Sequence, residues 1–364
     1  MKKTSGTEIY HGSTRRRLLV GGIAASVTAP AILSRQVRAA SQVIVRTPGG
    51  AYEDAIKAAI YGPFTRDTGI EVVTVAANIG KLLAMFRSGN IELDVIDTDV
   101  GPLTNLNRQG ALAPIDYGKF KLSNPNSIDA DVRLPFFVGN GYVGMIMGYN
   151  TEAFPPGSQP KSWAEFWDTN RFPGGRTLPD MAAGQPPLEF ALIADGVAPD
   201  KLYPLNLDRA FASLDRLRPS IRKFWDTGAV STQVITRKEA VLGAFWNARL
   251  QSAIDTGAPA AIEWNQGCFW AQGYSIFKGA HNPEGAIRLI DYALQPKVQA
   301  AFLSTYPFGP TVPEALALMP KSVVEKLPSY PPNKAKAFLL NVDWWEDNRQ
   351  TVSDRWSKWL LSRG

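Results

Sequence analysis

Between residues 43 and 97 the chain twice alternates a short β-branched run with a helical one, and no other feature constrains its fold as much. Val43-Ile44-Val45 passes through Thr47-Pro48-Gly49-Gly50 into a segment, 51–67, whose Ile56, Ala59, Ile60 and Phe64 recur at helical spacing. Thr68-Gly69 ends that helix, and 70–75 is strand-like. The stretch 81–88 predicts a short helix closed by Gly89-Asn90, and 93–97 predicts a buried strand running into an acid-rich loop. A βαβα alternation argues for an α/β layer built on a parallel sheet. Ligands of such sheets sit beyond the carboxyl ends of the strands. Residues 47–52 and 97–101 are therefore expected to share one crevice.

The rest of the chain continues in the same style. Residues 136–150 are rich in Gly, Val, Met and Tyr and read as extended. A second α/β stretch follows, with Trp163–Trp167, a turn at Pro173-Gly174-Gly175 and the run Thr177-Leu178-Pro179-Asp180. Helices are predicted at 188–195, 208–218, 284–294 and 296–304, and a Trp-bearing helix at 345–361. Residues 240–246, 259–264 and 268–277 predict three short strands separated by turns. No internal repeat or low-complexity segment is present.

Charge and residue counts exclude several function classes. Thr14-Arg15-Arg16-Arg17-Leu18-Leu19 fits a twin-arginine export pattern, and 18–33 follows as a weakly apolar core broken by Gly21, Gly22 and Pro30. That core is shorter than the roughly 20 residues of a spanning helix, so it reads as a signal segment cleaved near Ala39. Seven of the 39 basic residues and one of the 33 acidic ones lie in 1–39, which leaves 32 of each in the mature chain. A neutral chain offers no general attraction to a phosphate backbone, so no nucleic-acid partner is expected. Beyond the leader, His281 is the sole histidine, which argues against Ser-His-Asp chemistry and histidine-rich zinc sites. A single cysteine, Cys268, excludes an intrachain disulfide and any CxxC motif, and reads as a small buried hydrophobe. No metal, cofactor or catalytic residue is assigned.

Four motifs carry the remaining information. Gly139-Asn140-Gly141-Tyr142-Val143-Gly144 matches GxGxxG, but a dinucleotide fingerprint must open a helix, and here Met145-Ile146-Met147 continues as a strand. A glycine-rich crossover strand explains it better. Thr47, Gly49 and Gly50 stand between a strand and a helix, where glycine lets a ligand approach the backbone and helix-start N–H groups suit an anion. Asp97 and Asp99 either face a ligand ammonium or cap the next segment. Trp246-Asn247 and Trp270-Ala271-Gln272 are aromatic–polar pairs at strand ends, where an indole face either clamps an alkyl chain and attracts a cation or packs in the core. A carboxylate pair of the glycosidase kind stays open at this point.

In order and spacing, several short runs resemble the periplasmic solute-binding proteins of ABC importers, in the spermidine/putrescine-binding family. They are Pro63-Phe64-Thr65-Arg66-Asp67-Thr68-Gly69-Ile70, Asp94-Val95-Ile96, Tyr149-Asn150, Ser162-Trp163-Ala164-Glu165-Phe166-Trp167, Trp246-Asn247-Ala248, Gly267-Cys268-Phe269-Trp270 and Asn282-Pro283-Glu284-Gly285-Ala286. The resemblance implies an α/β, two-lobe periplasmic binding protein fold of type II, with lobes joined by crossing hinge strands. It places one lobe at 40–147 plus 273–318 and the other at 148–272 plus 319–364. It implies ligand contacts from Thr47, Gly49, Gly50, Tyr52, Glu53, Asp97, Asp99, Asp180, Trp246, Asn247, Trp270 and Gln272. Two departures matter: polyamine binders usually carry an acid where this chain has Gln272, and an aromatic or acidic first loop where it has Pro48-Gly49-Gly50. No Tyr-Tyr pair is present, which argues against a ferric ligand. The reading is a monomeric periplasmic binder, not an enzyme, that captures a polyamine or related small amine or zwitterionic solute by hinge closure and delivers it to an inner-membrane ABC permease. An exported hydrolase or oxidoreductase using the same cleft, and a binder of a small anion such as a phosphonate, are the alternatives.

Overall fold

The structure, a computed structural model, describes residues 42–362. The twin-arginine leader and its cleavage near Ala39 lie outside the described residues. The first alternation folds as its pattern implies. Strands β1 (Gln42–Arg46), β2 (Glu71–Val75) and β3 (Val95–Asp99) form a parallel group with β1 in the middle. The helix expected over 51–67 is three pieces: α1 (Gly50–Ile56), a π-helical turn at Lys57–Tyr61, and α2 (Gly62–Thr68). Pro63 explains the break, because it has no N–H for the preceding turn and its ring needs room there. Gly69 ends α2 at φ 72°, a left-handed geometry that favours glycine. Helix α3 (Ile79–Ser88) is capped by Asn78, whose side-chain oxygen accepts the Lys81 N–H at 2.8 Å. Helix α4 (Val100–Arg108) starts directly at the end of β3.

Five further strands complete the main path: β4 (Phe137–Asn150), β5 (Arg176–Pro179), β6 (Ile221–Trp225), β7 (Leu242–Trp246) and β8 (Ala260–Phe277). Their order is β2-β1-β3-β8-β4-β7-β5-β6, with three two-residue strands off this path. Strands β4 and β8 pair antiparallel from Ala260↔Asn150 to Tyr274↔Val138, and each bonds a different strand on its other edge. The carboxyl half of β8 joins β3, from Gln272↔Asp99 to Ile276↔Val95, while that of β4 joins β7, from Met145↔Trp246 to Tyr149↔Leu242. Two parallel groups are thus held together by a pair of long strands, β8 bonded to one group and β4 to the other.

Glycine makes the crossing possible where it is tightest. A Cβ on Gly148 would lie 2.4 Å from Leu250 Cδ2, and one on Gly273, at a bulge, 2.0 Å from the Val138 carbonyl oxygen. All of β4 is buried, so the GxGxxG run lies inside a strand and opens no helix. Where three short strands were expected, β8 joins the last two. The intervening Asn265-Gln266-Gly267 is a bulge in which Gln266 adopts φ 60° and satisfies its polar groups outside the ladder. Its N–H donates to the Lys336 carbonyl at 2.8 Å, and its side-chain and main-chain oxygens accept from the Trp163 N–H and Nε1.

The apolar interior falls into two large clusters and a small one. One surrounds β1–β3 and the helix Pro283–Ala293, with Val43, Ile96 and Leu289 at its centre. The other surrounds β5–β7 and the last helix, with Trp163, Leu178, Trp225 and Trp345. Cys268 is buried in this second cluster, and His281 is exposed and bonded to the Ile91 carbonyl. Two helices needed below are α5 (Asn247–Asp255), directly after β7, and α6 (Val342–Leu361).

Candidate functional site: a charged, aromatic cavity at the strand ends

A cavity of about 600 Å³ opens where β1, β3 and β7 end, the position a sheet of this kind offers to a ligand. Pro48, Gly49 and Tyr52 reach it from the loop after β1 and from α1, Asp99 and Gly101 from the β3–α4 junction, and Trp246 and Arg249 from the β7–α5 junction. Trp270 and Gln272 enter from β8, Tyr306 and Phe308 from a loop, and Trp345, Glu346 and Arg349 from the first turns of α6.

Asp99 is the acid that faces this space. It occupies the N-cap position of α4 yet makes no capping bond, so its carboxylate is left for the cavity, steadied by Trp270 Nε1 donating at 3.1 Å. Burial raises its pKa, and the Trp270 bond and the Arg46 charge oppose that rise. Asp97, two residues earlier on the same face of β3, is fully buried beneath the cavity floor. Tyr52 donates its hydroxyl to Asp97 at 2.8 Å, and Gln272 Nε2 donates at 3.2 Å. Burial pushes the Asp97 carboxyl up to about 7 against those hydrogen bonds. Arg46 donates to the Asp97 main-chain carbonyl at 2.8 Å.

The cations differ from one another in the same way. Arg349 is engaged: it donates to Glu346 at 2.9 Å and to the Gly184 carbonyl at 2.8 Å. Arg249 makes no hydrogen bond or ion pair among the described residues, and its alkyl stem lies against Gly228, where a Cβ would meet Arg249 Cγ at 2.7 Å. Burial raises the Tyr306 pKa, Arg249 opposes the rise and Asp99 adds to it, so this phenol stands within electrostatic reach of both. The walls are aromatic. Trp246 stands edge-on to Trp225 at 5.1 Å, and Tyr306 edge-on to Phe308 at 4.8 Å. One carboxylate and one guanidinium, neither in an ion pair among the described residues, thus share a cavity whose walls suit methylenes and ammonium groups.

Of the residues the sequence nominated, Gly49, Tyr52, Asp99, Trp246, Trp270 and Gln272 line the cavity. The others are engaged elsewhere. Thr47 is buried and donates to Glu53, which also takes bonds from Lys57 and Thr74, and the Lys57 bond leads in holding the Glu53 carboxyl at about 2. Gly50, at φ 61°, supplies the turn into α1. Asp97 is screened by Tyr52 and Gln272. Asp180 caps its own turn by accepting from Ala182 N–H at 2.9 Å, and it accepts from Trp356 Nε1 at 3.2 Å. Asn247 accepts from Gly144 N–H and donates to the Pro307 carbonyl, both at 2.8 Å, and so fixes the loop that carries Tyr306 and Phe308.

Arg249, Tyr306, Phe308, Glu346 and Arg349 were missed. The strand-end rule that singled out Trp246 would have found Arg249 one helical turn on. Nothing local marks the residues of α6, because only the tertiary fold brings that helix to the cavity.

The chain matches the family model described as "Bacterial extracellular solute-binding protein" over residues 59–332. It is 31% identical over 318 residues to the gamma-aminobutyric acid-binding protein of Pseudomonas aeruginosa, covering 85% of this chain and 88% of that one. It is 27% identical over 297 residues to the spermidine/putrescine-binding periplasmic protein of Escherichia coli, covering 78% and 82%. A crystal structure of an ABC transporter substrate-binding protein from Bradyrhizobium japonicum is similar at a TM-score of 0.81 and 32% identity, covering 88% of this chain and 99% of that one.

Proposed function

Because the chain belongs to the bacterial extracellular solute-binding protein family, and is thus the substrate-binding component of an ABC transporter and not an enzyme, we propose that its ligand is a small ω-amino acid of the 4-aminobutyrate kind. The carrying observation is the charge balance of the cavity. Asp99 receives the ammonium group, Arg249 takes the carboxylate in a bidentate pair, and Trp246, Trp270 and Tyr306 flank the methylenes. A polyamine would need a carboxylate near each ammonium, since an unpaired buried charge costs several kcal/mol. Here Asp97 is screened, Glu346 is already paired with Arg349, and Gln272 is neutral. The name of the Pseudomonas aeruginosa relative supports the reading, and that of the Escherichia coli relative supports the wider class of amines.

The capture mechanism in this reading is hinge closure, with 40–147 plus 273–318 as one lobe and 148–272 plus 319–364 as the other. The two large apolar clusters and the two strands shared between them support it. Ligand contacts from both sides would favour the closed state, the form a permease can distinguish from the empty one. Native mass spectrometry of protein purified from its own compartment tests the ligand class. The expected adduct has the mass of an amino acid or a short amine. A retained phosphonate or other amine-free anion would overturn the assignment.

A further inference from the structure

Beneath the cavity floor lies a polar cluster that direct ligand contact leaves unused. Asp97 is fully buried and its carboxylate makes no ion pair among the described residues. Every element packed around it contributes a group. Strand β1 brings Arg46, whose guanidinium is committed to the carbonyls of Asp97 and Ala77. Helix α1 brings Tyr52 and the π-turn brings Tyr61, 3.5 Å from Asp97 Oδ2. Strand β3 itself brings Asp99, β4 brings Asn140, which donates to the Tyr52 hydroxyl at 3.0 Å, and β8 brings Gln272 and Tyr274, the latter in register with Asp97. Burial raises the pKa of Tyr52, Tyr61 and Tyr274, which keeps all three neutral near pH 7.

Two more polar atoms of this cluster, the Tyr274 hydroxyl and the Asn140 side-chain oxygen, are buried without a hydrogen bond of good geometry among the described residues, the Tyr274 hydroxyl facing Asn140 and Tyr61. The groups that reach the Asp97 carboxylate, Tyr52, Gln272 and the more distant Tyr61, are neutral donors that favour its ionised form, while its complete burial favours the neutral one, so the two forms are closely balanced. Its two lasting partners, Tyr52 and Gln272, are themselves cavity-lining residues, and Asp99 stands two positions further along the same strand face.

We propose that Asp97 makes binding proton-coupled: capture of an ammonium-bearing ligand at Asp99 expels a proton from the Asp97 carboxyl. The inference rests on the amine reading given above. In the empty protein the protonated acid is favoured by its burial. When a positive charge enters the cavity above it, the ionised form is favoured instead, because an opposite charge nearby stabilises a carboxylate. The Asp97 O–H bond breaks, its electron pair stays on the carboxylate, and the proton leaves to buffer. The ligand keeps all its own protons and is neutral overall, so its ammonium comes to lie near Asp97 as the proton leaves, and the complex has one positive charge less than the empty protein plus ligand. Linkage makes the effect reciprocal: ligand lowers the proton affinity of Asp97 by the factor by which protons weaken ligand binding.

The test is titration calorimetry of 4-aminobutyrate into the full mature protein, in buffers of different ionisation enthalpy. The ligand amine and carboxyl do not titrate near neutrality, so they release nothing there. With the free carboxyl at about 7, about half a proton should be released per ligand at pH 7, close to one at pH 6 and almost none at pH 9. Affinity should fall about tenfold from pH 8 to pH 6. Asp97→Asn should abolish both effects, which separates Asp97 from Asp99. If that variant does not fold, the buffer series and pH profile of the unmodified protein decide. Normal binding with buffer-independent enthalpy at pH 6 and 7 would overturn the coupling and leave the proposed function standing. Undiminished release from a folded Asp97→Asn protein would overturn it too. If 4-aminobutyrate and short amines fail to bind even at pH 8.5, the functional reading fails and the coupling falls with it.

Discussion

In the proposed reading Arg249 and Asp99 divide the ligand between them, and each is set by a neighbour chosen for what it lacks. Gly228 has no side chain to obstruct the Arg249 stem, and the N-cap of α4 makes no bond that would withdraw the Asp99 carboxylate. Arg249→Ala should therefore weaken 4-aminobutyrate by about tenfold to a hundredfold, the ~1.5–3 kcal/mol of a hydrogen bond to a charged group. Butylamine, which has the amine without the carboxylate, should bind that variant as it binds the parent. Equal losses for both compounds in calorimetry would show that Arg249 acts through the fold instead. At this scale the sequence was informative where chemistry is local. Asp99 and Trp246 end strands and could be picked out as such, whereas Trp270 and Gln272, expected near a strand end, lie inside the long strand β8. Asp97 and Glu53 could not be told apart from cavity residues, because their engagement with Tyr52, Gln272 and Thr74 exists only after distant segments meet.

The crossing strands β4 and β8 decide how the two halves are joined. At the β8 bulge Gly273 lies against the Val138 carbonyl so closely that a methyl group would stand 2.0 Å from the oxygen, and a backbone atom cannot swing aside as a side chain can. Gly273→Ala should cost about 1–3 kcal/mol, which thermal unfolding would register as a Tm several degrees lower. An unchanged Tm would mean the crossing is looser than described. The extended character of β4 was legible from its Gly, Val and Met content. The continuity of β8 was not, because Asn265-Gln266-Gly267 has turn chemistry and the partners that hold it as a bulge, Trp163 and Lys336, are far away in sequence. The π-turn before Pro63 was hidden for a related reason: hydrophobic spacing reports which face is buried and not how the hydrogen bonds slip around a proline.

For the molecule as a whole, βα alternation and the ordered short motifs were enough to anticipate an α/β fold of the two-lobe binding-protein kind with crossing strands, and the family match agrees. What the sequence withheld was the part played by α6, whose Glu346 and Arg349 complete the cavity wall from the carboxyl-terminal end of the chain. If the halves close on a ligand held between Asp99 and Arg249, small-angle scattering should show a smaller radius of gyration at saturating 4-aminobutyrate. An identical profile with and without bound ligand would speak for a rigid receptacle. The central claim concerns charge: a cavity with one free acid and one free base selects a zwitterion over a polycation. Titration calorimetry of the unmodified protein with 4-aminobutyrate, putrescine and spermidine at pH 8 tests it most directly. The expected order has 4-aminobutyrate tightest and spermidine weakest, and spermidine binding more tightly than 4-aminobutyrate would contradict the account.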